Sequence, residues 1–336
     1  TGKEIWRTAI DEGNPGDFTG SRSTPTFNDG MLYCLTTDCK LVCLNADDGE
    51  VAWENDLVES VGAAIMLAKG KWQWKFSESP LVEGDLVIVT PGASDAAMLA
   101  LDKKSGEEVW RCQIPDLGRK GMDGAGYSSA VIGNACGVKQ VVQLTGRGVI
   151  GVEYATGKYL WGYNRVANDV ANISSPVVSG DHVFVSTGYQ TGSALLRLTK
   201  NDAGEFSVEE EYFLRPTTFQ NHHGGFVLHD GHIYGGQGHK MGLPICIRME
   251  DGEVMWGPIR NEGKASAACC LADGHLYMRY QNGLVVLIEA TPQEYREKGS
   301  FMIPRVRAES WSHPVISGGK LYLKEQEQLY CYDISE

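Results

Sequence analysis

The chain has 336 residues, 42% hydrophobic and 22% charged, an ordinary globular composition in which 41 glycines fall mostly at turn positions. Its net charge of −13, with no run of Lys or Arg to override it, argues against a nucleic-acid partner. No apolar stretch approaches the ~20 residues a membrane-spanning helix needs, so no spanning segment is expected.

In chain order, Thr1 to Trp6 reads as half of a repeat, and a polar, Gly-rich connector follows over 11–20. The first full unit starts at Ser23-Thr24-Pro25. It turns at Asn28-Asp29-Gly30, again at Thr37-Asp38 and again at Asp48-Gly49, and it ends at Trp53. Four β-rich runs joined by three tight turns predict a four-stranded antiparallel meander. The pattern recurs from Ser79-Pro80 to Trp110, from Ser128-Ser129 to Trp161, and from Ser175-Pro176, where Tyr212-Phe213 takes the Trp place. It recurs again from His223-Gly224-Gly225 to Trp256, from Ser266-Ala267 to Phe301, and from His313-Pro314 to the C-terminus. The last unit lacks a fourth strand, which Lys3 to Ile10 would supply.

These repeats predict an all-β fold, a seven-bladed β-propeller of four-stranded antiparallel blades closed by the N-terminal strand. The alternative is a truncated eight-bladed propeller whose lost first blade ended at Trp6. One domain is expected over 1–336, with blades near 21–56, 77–115, 127–165, 173–214, 222–259 and 265–303, and a last blade of 310–334 plus 1–10. The Trp at each outer strand is expected to pack between blades. Insertions at Leu57–Phe76, with an amphipathic turn over Val61–Leu67, and at Pro115–Gly126 lie on one rim in this reading.

In a propeller the first strand of each blade lines the axis, so residues just before it ring one channel mouth. This makes Arg22, Glu78, Tyr127, Asn172, His222, His223, Trp311 and His313 ligand-binding candidates, with Trp74 from the first insertion and Lys264 or Ser266 in the sixth blade. His222 and His223, with His313 as third ligand, are the weak metal candidates. Adjacent strand residues point to opposite faces, so the pair shares an ion only if that segment is loop. His239 is expected near a solvated turn. The nine cysteines are spaced irregularly in apolar runs and read as buried free thiols. Cys34 and Cys39 flank a hairpin close enough to pair in an oxidising compartment, and Cys269-Cys270 sit in an apolar strand. No G-x-S-x-G, phosphate-loop or H-E-x-x-H motif is present.

The unit Leu-Asp-x-x-Ser/Thr-Gly-x-x-x-Trp, preceded by Ser-x-Pro-x-Val-x-x-Gly, resembles the repeat of pyrroloquinoline-quinone (PQQ)-type β-propellers over essentially the whole chain. It is strongest at Ser77 to Trp110 and Ser174 to Val185. That family includes quinoprotein alcohol dehydrogenases, BamB-like scaffolds and exported bacterial propellers, and Trp311-Ser312-His313-Pro314 resembles the last group. The resemblance implies export to the periplasm, with any signal peptide already removed. It gives two functional expectations. One is a non-catalytic propeller binding a protein partner or a small polar ligand at a channel mouth, with no cofactor. The other is a PQQ- and Ca²⁺-dependent oxidoreductase acting on alcohols or sugars, for which Glu78 and Asn172 are the residues of the right type.

Overall fold

The structure, a computed structural model, describes residues 2–12, 18 and 20–335; most of the connector predicted over 11–20 lies outside them. Seven antiparallel sheets follow one another along the chain, at 26–56, 81–112, 131–163, 177–214, 226–256, 267–302 and 315–333. Each is a simple meander. The first six have four strands and the last has three. They are the blades of a seven-bladed β-propeller, and the fold is all-β.

The middle strands are the most apolar. Leu86–Val89 and Met98–Asp102 are buried almost throughout, because each strand is covered on both faces. Core clusters accordingly run from one blade to the next. Ile88, Met98 and Ala100 pack with Val141, Ile150 and Val152. Tyr234 and Cys246 pack with Met278, Val286 and Ile288.

The third turn of each repeat explains its sequence. Asp102 Oδ1 accepts from the Lys104 and Ser105 N–H groups, and Gly106 N donates to Asp102 O at 2.9 Å. The same Gly-to-carbonyl bond closes the turns at Gly49, Gly157 and Gly252. Gly106 has φ +73°, and a Cβ there would lie 2.7 Å from the Trp53 ring. Glycine is therefore required twice, by the backbone and by the indole lying on it. Trp53 Nε1 donates to Lys103 O, Trp110 to Tyr154 O, and Trp256 to Thr291 O. Tyr212 substitutes with its hydroxyl, which donates to Met249 O at 2.7 Å. In the sixth blade the Phe301 ring meets Tyr332 at 4.9 Å. Trp161 departs from the expected inter-blade role. Its Nε1 donates to Gln140 Oε1 in its own blade, since the fourth blade turns through 201–204 without the Thr-Gly pair.

The Ser that opens these units, directly before Pro80, Ala130 and Pro176, is a second inter-blade latch. Ser79, Ser129 and Ser175 each accept, through Oγ, the N–H of Thr24, Ser79 and Ser129 of the blade before.

The strand expected over 3–10 forms no ladder of its own, and the last sheet stands at three strands. The docking residue is nevertheless in place. Trp6 lies on Gly49, Trp6 Nε1 donates to Ala46 O at 2.9 Å and Thr8 Oγ1 to Gly49 O. Trp6 thus treats the first blade as Trp53 treats the second. The amphipathic turn expected at Val61–Leu67 is instead a helix at Leu57–Val61. Asp56 caps its start by accepting from Val58 and Glu59 N–H, and left-handed Gly62 ends it. The nine cysteines are free thiols, Cys34, Cys39 and Cys269 among the buried ones.

By packing, the chain divides into two compact units, Thr1–His182 with Leu198–Glu209, and Val183–Arg197 with Glu210–Glu336.

Candidate functional site

The predicted site residues fall into both units. Arg22, Trp74, Glu78, Tyr127 and Asn172 belong to the first, and His222, His223, Trp311 and His313 to the second.

In the first unit most of these side chains are consumed by the fold. Glu78 is buried; Thr90 N–H and Oγ1 donate to its two oxygens at 2.6 and 2.8 Å, and Gln143 Nε2 approaches at 3.4 Å. Burial outweighs these donors and pushes its carboxyl up to about 8, so it is mostly protonated at neutral pH. Asn172 is fully buried. Its Nδ2 donates to Thr145 O and Gly146 O, and its Oδ1 accepts from Asn168 N. Tyr127 is buried too, with its N–H on Asn172 O and its hydroxyl accepting from Trp74 N–H. Arg22 Nη2 donates to Phe18 O. A Ca²⁺ ion needs charged and free oxygen donors. A largely neutral Glu78 and an Asn172 bonded at both side-chain atoms do not fit that requirement, so no step through PQQ and Ca²⁺ is derived from them.

The second unit gathers its four candidates. The segment 221–224 carries no strand, so the alternation expected for neighbouring residues does not apply. The His222 and His223 rings face each other with centroids 3.5 Å apart. The next residue, Gly224, lies against the sixth blade, where an added Cβ would fall 1.5 Å from Ala267 O. His222 Nδ1 meets Ser266 Oγ at 2.7 Å and its Nε2 meets the Tyr189 hydroxyl at 3.2 Å. Trp311 stands edge-on to His223 at 5.3 Å and donates Nε1–H to Gln281 Oε1. His313 Nε2 bonds His223 O at 3.2 Å, which ties the two segments together. Among the described residues no three His, Cys, Asp or Glu side chains are placed to hold a metal ion.

Sequence reading missed several members. His239 is not on a solvated turn: its ring lies 4.1 Å from His222 and 4.6 Å from Tyr189. Arg279, on a middle strand, is only 2% exposed; it donates to Ser310 O and pairs with Glu325. A polar residue inside an apolar strand, Leu-Tyr-Met-Arg-Tyr, is the one local signal that could have found it.

His223, Gly224, Ser266, Arg279 and Trp311 line a cavity of about 10 Å³, room for roughly one water. His223 Nδ1 is buried there without a hydrogen-bond partner. Burial, and then the neighbouring imidazoles, push His222 down to about 2 and His223 to about 3, so both are neutral at pH 7. The site offers neutral hydrogen-bonding rings and an indole wall. It can bind a polar group, and it does not act as a cation.

A family model described as outer membrane protein assembly factor BamB matches residues 1–257. An uncharacterized protein of Rickettsia prowazekii is 24% identical over 244 residues, 69% of this chain and 51% of that protein. The quinohemoprotein alcohol dehydrogenase ADH IIB of Pseudomonas putida is 27% identical over 157 residues, 45% of this chain and 21% of that enzyme. The chain thus spans about half the length, or less, of these curated relatives. Among solved structures, BamB from Moraxella catarrhalis superposes with a TM-score of 0.65 at 13% identity, covering 92% of this chain and 84% of that one. The latched Trp-on-Gly turns, the seven meander blades and the match over three quarters of its length agree: the chain belongs to the PQQ-like β-propeller family of the outer membrane assembly factor BamB.

Proposed function

We propose that the chain is a non-catalytic binding module that holds a polar group of a protein partner, or a small polar ligand, at the His222–His223–Trp311 site. The observation that carries this reading is the buried, unsatisfied Nδ1 of His223 in a cavity walled by Trp311 and Ser266. A ligand hydroxyl or carbonyl reaching that cavity would pair with His223 Nδ1 in place of the single water the cavity has room for. The relatives named as assembly factors support a protein partner, and they favour an exported, periplasmic setting. No helix among the described residues is long and apolar enough to cross a membrane. The expected reaction partners of a quinone enzyme find no support in Glu78 or Asn172.

The test immobilises the full chain and the variants His223→Ala and Trp311→Ala, and passes a cell-envelope extract over each. Species retained by the native chain and lost on both variants, with unchanged melting curves, are the expected result. Equal retention on all three removes the site from the reading. A rise in melting temperature on adding PQQ with Ca²⁺, together with dye-linked alcohol oxidation, would replace it with the oxidoreductase.

A further inference from the structure

From a different part of the molecule, we infer that the 57–76 insertion forms a second binding site, one that takes an acidic peptide segment anchored by an apolar side chain. In a chain of net charge −13, the insertion 57–76 holds three lysines, Lys69, Lys71 and Lys75, against one carboxylate, Glu59. The helix Leu57–Val61 and the following hairpin enclose a groove of about 320 Å³. Val58, Ala64, Ile65, Leu67 and Phe76 line it, and the Lys75–Asp38 pair, at 2.6 Å, closes one side. That volume lies within the range of small ligand pockets, about 300–1,000 Å³.

The hairpin tip is fixed. Gly70 N donates to Leu67 O, Lys71 N to Ala68 O, and Lys69 N to Asp169 O at 2.7 Å. This presents Lys69 and Lys71 to solvent beside Trp72, which is 59% exposed. Val58 and Leu67, which line the groove, are 48% and 41% exposed and so open to a ligand. Asp38 neutralises Lys75, so the attracting charge comes from Lys69 and Lys71. Two cations at the hairpin tip, close in the chain to Leu67 and Gln73 of the groove lining, complement a chain bearing carboxylates on either side of a Leu or Phe. A lipid surface fits less well, because the apolar residues line a hollow instead of standing out together.

The experiment follows fluorescence anisotropy of a labelled peptide, a Leu flanked by glutamates, against the full chain at low salt. Saturable binding is expected. Charge reversal by K69E/K71E should weaken it about tenfold, as should glutamines in place of the peptide's glutamates, and high salt should weaken it further. Both lysines are exposed, so the variant should melt as the native chain does. V58N, which removes an apolar wall of the groove at an exposed position without adding charge, should also weaken binding. No saturable binding, equal binding of the neutral peptide, or indifference to K69E/K71E overturns the proposal. So does binding to phosphatidylglycerol vesicles without binding to the peptide, which would assign the insertion to a lipid surface.

Discussion

Glu78 pairs full burial with donors from Thr90 and Gln143 and no cation. Its folded carboxyl is raised to about 8, above the ordinary carboxylate range. The folded chain therefore holds this proton more tightly than the unfolded one. Its favourable contribution is complete below the unfolded pKa and is lost as pH rises towards 8. We expect stability to urea to fall through that window by up to about 1.4 kcal/mol per pH unit. Glu78→Gln should flatten this dependence and melt higher than the native chain at pH 8. Parallel pH profiles for the two proteins would show that Glu78 is not the source. Glu78 was visible in the sequence as a channel-side carboxylate, but its neutral, structural character was not. That depends on Thr90 and Gln143, 12 and 65 residues away, which close over it.

Among the elements, neighbouring blades are held by repeated latches, and the sixth and seventh also by a buried ion pair. Arg279 of the sixth blade and Glu325 of the seventh are each about 1% exposed at the side chain. Removing one partner leaves a buried charge, whereas replacing both with apolar groups of similar size often costs little. Arg279→Met should therefore lower stability by about 3–5 kcal/mol, and R279M/E325L should recover most of it. Urea titrations of the single and double variants measure the difference; a double variant as unstable as the single would mean the pair is not the source. The helix at Leu57–Val61 teaches the same lesson from local signals. Asp56 and Gly62 mark its ends in the sequence, yet the apolar run after Gly62 drew the expected turn too far along the chain. That run packs as an isolated bridge, Ile65 with Ala125, a contact no periodicity reveals.

For the molecule as a whole, the termini raise the question of closure. Trp6 on Gly49 reproduces the inter-blade dock although residues 2–10 form no strand. Deleting 2–10 should lower the melting temperature by several degrees. Trp6→Ala should account for most of that, about 2 kcal/mol for a half-buried indole and its hydrogen bond. An unchanged melt for both would show that the dock adds nothing to stability. The sequence by itself determined the all-β class, the seven units, the Gly turns and the docking aromatics, because each is written locally and repeated. A turn needs its glycine within four residues, and repetition averages out exceptions such as Trp161. Only the tertiary structure decided what the site is made of. It set the His222 and His223 rings against each other in a segment without strand, and it brought His239, Tyr189 and Arg279 beside them. It also spent Glu78 and Asn172 on the core. Burial and pairing between residues distant in the chain set those roles, and no local pattern carries that information.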